Sequence, residues 1–236
     1  MMNNFVFENK TKVYFGKNVV KEHLGGLLSN YGETVMLAYG GGSVKRNGVY
    51  DEIMGILNAQ GKCVVEFSGI MSNLTYAKVQ EGAKLARENH VDLILVVGGG
   101  SVSDCCKVIS AQANLNEDIW EMQYTKHTLP TKFIPLGTIV TVFGTGSEMN
   151  NGAVITNEEK KIKGALWGAQ AEFAFLDPAY SLSVPMQQVI SGAFDTLSHA
   201  METYFGKPDE NNLSDDINEA RYAQRHPQHP HFADRS

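Results

Sequence analysis

The sequence predicts an α/β fold, with a parallel sheet in residues 1–187 and the start of an all-helical region in residues 188–220. Three observations carry that prediction. Short apolar runs rich in β-branched residues end in glycine, segments of helical periodicity separate them, and strand signals stop near residue 188.

In chain order, TVMLAYGGG (34–42), KCVVEFSG (62–69) and VDLILVVGGGS (91–101) read as buried strands opening into tight loops. Between the first two, Val49, Ile53, Ile56 and Leu57 recur on one helix face; between the last two, AKVQEGAKLARENH repeats the pattern with Val79, Ala83 and Ala86. Strand, helix, strand, helix, strand implies a parallel sheet, because parallel neighbours need a crossover connection. KFIPLGTIV (132–140) and EFAFLDP (172–178) supply two more strands, the first followed by the loop TVFGTGSE and the second by a turn at Asp177 and Pro178. Beyond SVPMQQ, VISGAFDTLSHAMETYF has helical periodicity, and NNLSDDINEA begins another amphipathic helix through Leu213, Ile217 and Ala220. The closing RYAQRHPQHPHFADRS has no Leu, Ile, Val or Met, and Pro227 and Pro230 break helices, so residues 221–236 are expected to form a disordered tail.

A chain of 236 residues, 43% hydrophobic and 19% charged, is long enough for one large domain or one domain plus part of another. Net charge is −6 and no Lys/Arg cluster interleaves with aromatics, which argues against a nucleic-acid or anionic-membrane surface. A small molecule is the expected partner. The N-terminal MMNNFVFENKTKVYF lacks a signal-peptide pattern and no later run has the length of a membrane span, so the expected location is cytoplasmic. Three cysteines, with Cys105 and Cys106 adjacent, fit neither a disulfide framework nor a zinc knuckle and read as reduced, mostly buried thiols.

Gly98, Gly99 and Gly100 sit between a strand and a helix, where backbone N–H groups can approach a pyrophosphate. A plain strand-to-helix turn is the alternative, and Ser101 with Asp104 also fits a local capping pair. The Rossmann fingerprint is absent, since Ser103 stands where its third glycine belongs, and no P-loop occurs. YGGGSVK (39–45) has no acid positioned for a ribose 2′-OH but has Ser43 and Lys45, which favours NADP over NAD. GTGSE (144–148) is a third flexible loop at a strand end, and ligands collect at that edge of a parallel sheet. Asp195 and His199 lie four residues apart on one helix face and could be two metal ligands or a solvated pair. His23, His90 and His127 read as surface residues, and His226, His229 and His231 fall in the tail.

GGGSVSD, then GTGSE preceded by Thr141, then LDP, then DTLSHAME, in this order, resemble the iron-containing alcohol dehydrogenase family, and most of all its NADPH-dependent butanol and aldehyde-reducing branch. The resemblance runs from about Phe5 to Ala220. It implies a dehydroquinate synthase-like fold: a dinucleotide-binding α/β domain and an all-helical domain, with a divalent metal and the substrate in the cleft between them. Residue by residue, it implies that Gly98, Gly99, Ser101 and Asp104 form the pyrophosphate loop and that Thr141, Thr145 and Ser147 lie beside the cofactor. Gly41, Gly42 and Ser43 match the segment that accepts the 2′-phosphate, and Lys161 falls at a cofactor-contacting lysine, with Lys160 and Lys163 as neighbours. Asp195 and His199 match two of four ligands for Fe²⁺ or Zn²⁺, with no catalytic side chain assigned beyond that metal site.

The implied reaction is metal-dependent hydride transfer between NADP(H) and a primary alcohol or aldehyde such as butanol or butanal, by a protein that could assemble as a homodimer. The family's other two metal-ligating histidines lie on later helices of a longer helical domain. The expectation is therefore weak metal binding, low activity and an exposed apolar face on the helical segment. A non-catalytic nucleotide-binding fragment of the family and a sugar-phosphate cyclase or glycerol dehydrogenase type are the alternatives; the Asp195/His199 spacing and the GGGSVK segment favour the alcohol dehydrogenase branch.

Overall fold

The computed structural model describes Val6, residues 8–206 and residues 213–225. They form two compact units that divide between Val184 and Pro185. The first unit contains, in order, β1 (Lys12–Phe15), α1 (Val19–Leu28), β2 (Thr34–Tyr39), α2 (Ser43–Arg46), α3 (Val49–Ala59), β3 (Cys63–Phe67), α4 (Tyr76–Glu88), β4 (Leu93–Gly98), α5 (Gly100–Gln112), α6 (Ile119–Tyr124), β5 (Leu136–Val140), β6 (Gly152–Asn157), β7 (Ile162–Trp167) and β8 (Phe173–Leu176).

Six strands make one parallel sheet in the order β1-β8-β5-β4-β2-β3. The central strands are continuous apolar runs because both faces are covered, and every residue of β4 and β5 is buried. Alternate side chains divide into two cores: Val35, Leu37, Leu93 and Leu95 pack against α1 and α3, while Met36, Ile94 and Val96 pack against α4 and α5. The α/β parallel-sheet prediction is thus observed, with β2, β3, β4, β5 and β8 inside the expected segments.

Three strands were outside that prediction. β1 is a short edge strand with a mostly exposed burial pattern, so it carries little of the apolar signal of the central strands. β6 and β7 form a separate antiparallel hairpin, Gly152 opposite Trp167 and Asn157 opposite Ile162, folded over α5 and α6. Its tip is marked by Lys161 at φ +54°, and Gly168 just past β7 leaves room for the backbone: a Cβ there would stand 2.3 Å from the Lys107 carbonyl oxygen.

Buried or half-buried tyrosines pair with carboxylates around this unit: Tyr31 with Glu172 (2.6 Å), Tyr76 with Asp118 (2.8 Å) and Tyr180 with Glu52 (2.5 Å). Burial first, then the bond to an anion, raises all three phenols above their usual 10.0. A phenol whose proton is held more tightly in the folded chain stabilises fully below pH 10 and ceases to do so as pH rises through the folded value. Urea midpoints measured against pH are therefore expected to fall above about pH 10, and Tyr180→Phe is expected to flatten that fall.

The second unit holds α7 (Met186–Tyr204) and α8 (Leu213–Arg225). Among the described residues of α7 only Ala200 is buried, while Met186, Val189, Ile190, Phe194 and Met201 are exposed. An apolar face on the helical segment is thus present. α8 corrects one expectation: it continues to Arg225, so residues 221–225 are helical where a disordered tail was expected, and residues 226–236 lie outside the described residues. The absence of Leu, Ile, Val and Met removes an apolar face but not helix propensity, which Arg, Ala and Gln supply. No helix among the described residues is long and apolar enough to cross a membrane.

Candidate functional site

The sheet order places a switch point between β2 and β4. From β2 the chain leaves through α3 to the edge strand β3; from β4 it leaves through α5, on the opposite face, to β5. A crevice opens where neighbouring strands send their connections to opposite faces, and such crevices bind ligands in open α/β sheets. The two strand ends there are Gly40–Ser43 and Gly98–Ser101.

α5 begins at Gly100 with Gly99 as its N-cap, and no side chain caps it. The N–H groups of Val102 and Ser103 bond to the Gly99 carbonyl, whereas those of Gly100 and Ser101 have no acceptor among the described residues. A 13-residue helix with open N–H groups at its first turn suits an anion. Ser101 Oγ donates to Ser72 O at 3.2 Å, which keeps this hydroxyl turned to its own chain.

Neighbouring side chains crowd all three glycines. A Cβ on Gly98 would lie 2.6 Å from Val102, one on Gly99 3.1 Å from Val142, and one on Gly100 2.7 Å from Thr145 Oγ1. The loop that follows β5 therefore lies directly on the β4–α5 turn, joined to it by Thr141 N–H donating to Gly98 O at 3.0 Å. Thr141, Thr145 and Ser147, expected beside a cofactor, converge on Gly98, Gly100 and Asp104.

A lysine that the sequence reading passed over holds this loop. Lys107 is 0% exposed and donates to Ser147 Oγ (2.8 Å), Asn150 Oδ1 (2.9 Å) and Gly152 O (2.8 Å). Ser147 Oγ in turn donates to Asp104 Oδ1 at 2.7 Å, and Asp104 Oδ2 accepts from Val154 N–H at 3.0 Å. Asp104 is thus not a partner of Ser101 in a capping pair; it links α5 to the loop and to β6. Burial lowers the Lys107 pKa, opposed by Asp104 3.5 Å away. The signal was available in SVSDCCKVIS, where a cation stands between apolar neighbours three residues after an acid.

At the other strand end, Gly41 has open space around its Cβ position, and the Arg46 guanidinium lies over Gly42, 3.2 Å from where a Cβ would be. Lys45 is not a solitary cation: its ammonium pairs with Glu66 Oε2 at 3.1 Å and lies over the Tyr50 ring at 4.2 Å. Tyr39 (2.5 Å) and Tyr50 (2.6 Å) also donate to Glu66, so hydrogen bonds from Tyr39 and Tyr50 pull the Glu66 pKa below its usual value. Glu66 breaks the apolar run of β3, which is the one sequence mark it left.

The remaining candidates are Lys161, Asp195 and His199. Lys161 is at the hairpin tip, where no hydrogen bond or ion pair joins it to the glycine-rich loops among the described residues; neighbouring Lys160 is committed to Glu121. In the second unit, Asp195 Oδ1 is 3.8 Å from His199 Nε2 on one face of α7, and Glu202 Oε2 is 3.9 Å from His199 Nδ1. The described residues contain no cluster of three or more His, Cys, Asp or Glu suited to a metal ion. Two donors are fewer than the roughly three that a catalytic divalent metal takes from protein. Cys105 and Cys106 are buried free thiols, the first pushed up to about 12 by burial, and Cys63 is exposed. His23, His90 and His127 are exposed.

The family profile for iron-containing alcohol dehydrogenases matches residues 10–178. The chain is 42% identical over 217 residues to the probable NADH-dependent butanol dehydrogenase 2 of Bacillus subtilis, covering 91% of this chain and 55% of that one. It is 39% identical over 220 residues to the NADPH-dependent aldehyde reductase YqhD of Escherichia coli, covering 91% and 55%. The crystal structure of NADH-dependent butanol dehydrogenase A from Thermotoga maritima superposes with a TM-score of 0.86 at 35% identity, covering 95% of this chain and 58% of that one. The chain spans about half the length of the curated relatives it matches. On the profile match and these identities together, the chain belongs to the iron-containing alcohol dehydrogenase family.

Proposed function

We propose that this chain carries the dinucleotide-binding part of an oxidoreductase that moves hydride between NADP(H) and a primary alcohol or aldehyde such as butanol or butanal. One observation supports the reading most: the open N–H groups of Gly100 and Ser101 at the start of α5, at the sheet's switch point. They suit the pyrophosphate of a dinucleotide, with Gly98, Gly99 and Thr145 shaping the floor and Thr141 fixing the loop beside it. Asp104 and Ser147 contribute by holding that loop, and Gly41, Gly42 and Ser43 take the adenosine ribose end. Lys161 remains a candidate contact from the hairpin tip. When bound, the nicotinamide ring supplies or takes the hydride. The chain's own task is to orient that ring and keep water from it.

Asp195 and His199 offer one oxygen and one nitrogen donor to Fe²⁺ or Zn²⁺. Among the described residues the donor set is incomplete, so these two side chains alone would hold the ion weakly. That same shortfall supports a second reading, a nucleotide-binding fragment without redox activity.

Purified 236-residue chain with NADPH or NADH, butanal and added Fe²⁺ or Zn²⁺ separates the readings. The expected result is saturable cofactor binding with slow butanal-dependent oxidation that added metal raises and Asp195→Ala with His199→Ala abolishes. Binding without oxidation under every metal condition would favour the second reading, and no binding of either cofactor would end both.

A further inference from the structure

We propose that Glu66 is a specificity-determining residue that narrows the preference of this site for the 2′-phosphorylated cofactor by neutralising Lys45. The inference rests on the functional reading above. In a doubly wound sheet, the ribose of a dinucleotide lies at the end of the strand next to the one bearing the phosphate turn. That strand is β2, paired with β4 through Tyr39 opposite Val97, and the chain leaves it along Gly40–Ser43 into α2.

Two cations follow at once, and their surroundings differ. Arg46 lies over Gly42 and forms no ion pair among the described residues. Lys45 is held by Glu66 at 3.1 Å and by two tyrosine rings, at 4.2 Å for Tyr50 and 5.3 Å for Tyr39. Glu66 reaches this corner from the neighbouring strand, where it pairs in register with Leu37 of β2. A 2′-phosphate approaching Gly41–Ser43 is attracted by Arg46 and Lys45 and repelled by Glu66. An unphosphorylated ribose carries no charge to feel either.

Three of the roughly four acceptor positions of Glu66 are already taken within the chain. Its Oε2 already accepts from Tyr39 and Lys45, and its Oε1 from Tyr50. The carboxylate therefore acts on the phosphorylated cofactor by charge, and barely on the other. Removing its charge while keeping its shape changes one affinity alone.

The test is Glu66→Gln in the full 236-residue chain, with NADPH and NADH titrated separately at low ionic strength. NADPH is expected to bind about three- to tenfold more tightly than to the unsubstituted chain, with NADH unchanged and the NADPH gain shrinking as salt is added. Unchanged NADPH affinity, or an equal change for both cofactors, would overturn the proposal. Lys45→Met gives the opposite displacement, weaker NADPH and unchanged NADH, and serves if the first variant folds poorly; equal binding of NADPH there overturns the proposal too. If the unsubstituted chain binds neither cofactor, the reading of the site itself fails, which is a different outcome from binding both with an unaltered ratio.

Discussion

Lys107→Met is expected to lower the unfolding free energy by about 3 kcal/mol, the scale for removing one partner of a buried charged pair. The substitution keeps most of the side-chain volume, so the loss isolates the ammonium. Three acceptors would be stripped at once: Ser147 Oγ, Asn150 Oδ1 and Gly152 O. Gly152 opens β6, so its freed carbonyl weakens the point where the hairpin joins α5, and Asp104 loses the only cation within 4.0 Å of it among the described residues. A double cycle with Asp104→Asn locates the effect. Coupled groups give a double variant less destabilised than the sum of the singles, by about 0.5 kcal/mol or more. Urea unfolding of the four chains decides it, and a Lys107→Met variant within about 0.5 kcal/mol of the parent would show that the network is structurally idle.

That lysine also shows where sequence reading reached its limit. The central strands were legible because burial on both faces of a parallel sheet demands unbroken apolar runs, as in LILVVG, and because glycine marks their ends. α3 and α4 were legible from the spacing of Val49, Ile53 and Leu57 and of Val79, Ala83 and Ala86, all of which are buried. β1 was not, since four residues with Val13 and Phe15 exposed carry no such signal. Nor was the β6–β7 hairpin, whose alternating residues are half exposed and whose turn, NEEKK, reads as a charged loop.

The candidate site divides the same way. Glycine-rich turns advertise themselves, and the structure brings Gly98–Gly100, Thr141, Thr145 and Ser147 together. Groups that act by long-range pairing do not. Lys107 meets Asn150 across 43 residues, and Lys45 meets Glu66 across 21 from a different strand end, so neither contact follows from local spacing. The absence of an acid near YGGGSVK was a correct reading of the segment and an incomplete one of the site, because the fold supplies Glu66 from β3.

The start of α5 carries the second large expectation, the loss of cofactor affinity in Ser101→Asp. An aspartate in the first turn of a helix faces the positive end of the helix dipole and the open N–H groups, a gain of about 0.5 kcal/mol that offsets the hydrogen bond lost to Ser72 O, so stability should change by less than about 1 kcal/mol. The same charge occupies the place proposed for the pyrophosphate and repels it. A purely structural role for the glycine turn predicts no effect on binding, and a phosphate-binding role predicts a large one.

Calorimetric titration of NADPH and NADH into the unsubstituted chain and into Ser101→Asp is therefore the most direct test. Saturable binding is expected for the first, with a loss of about tenfold or more for both cofactors in the second, corresponding to about 1.4 kcal/mol, and little change in thermal stability. Equal affinity in the two chains would contradict the assignment of the α5 N-terminus as the phosphate site.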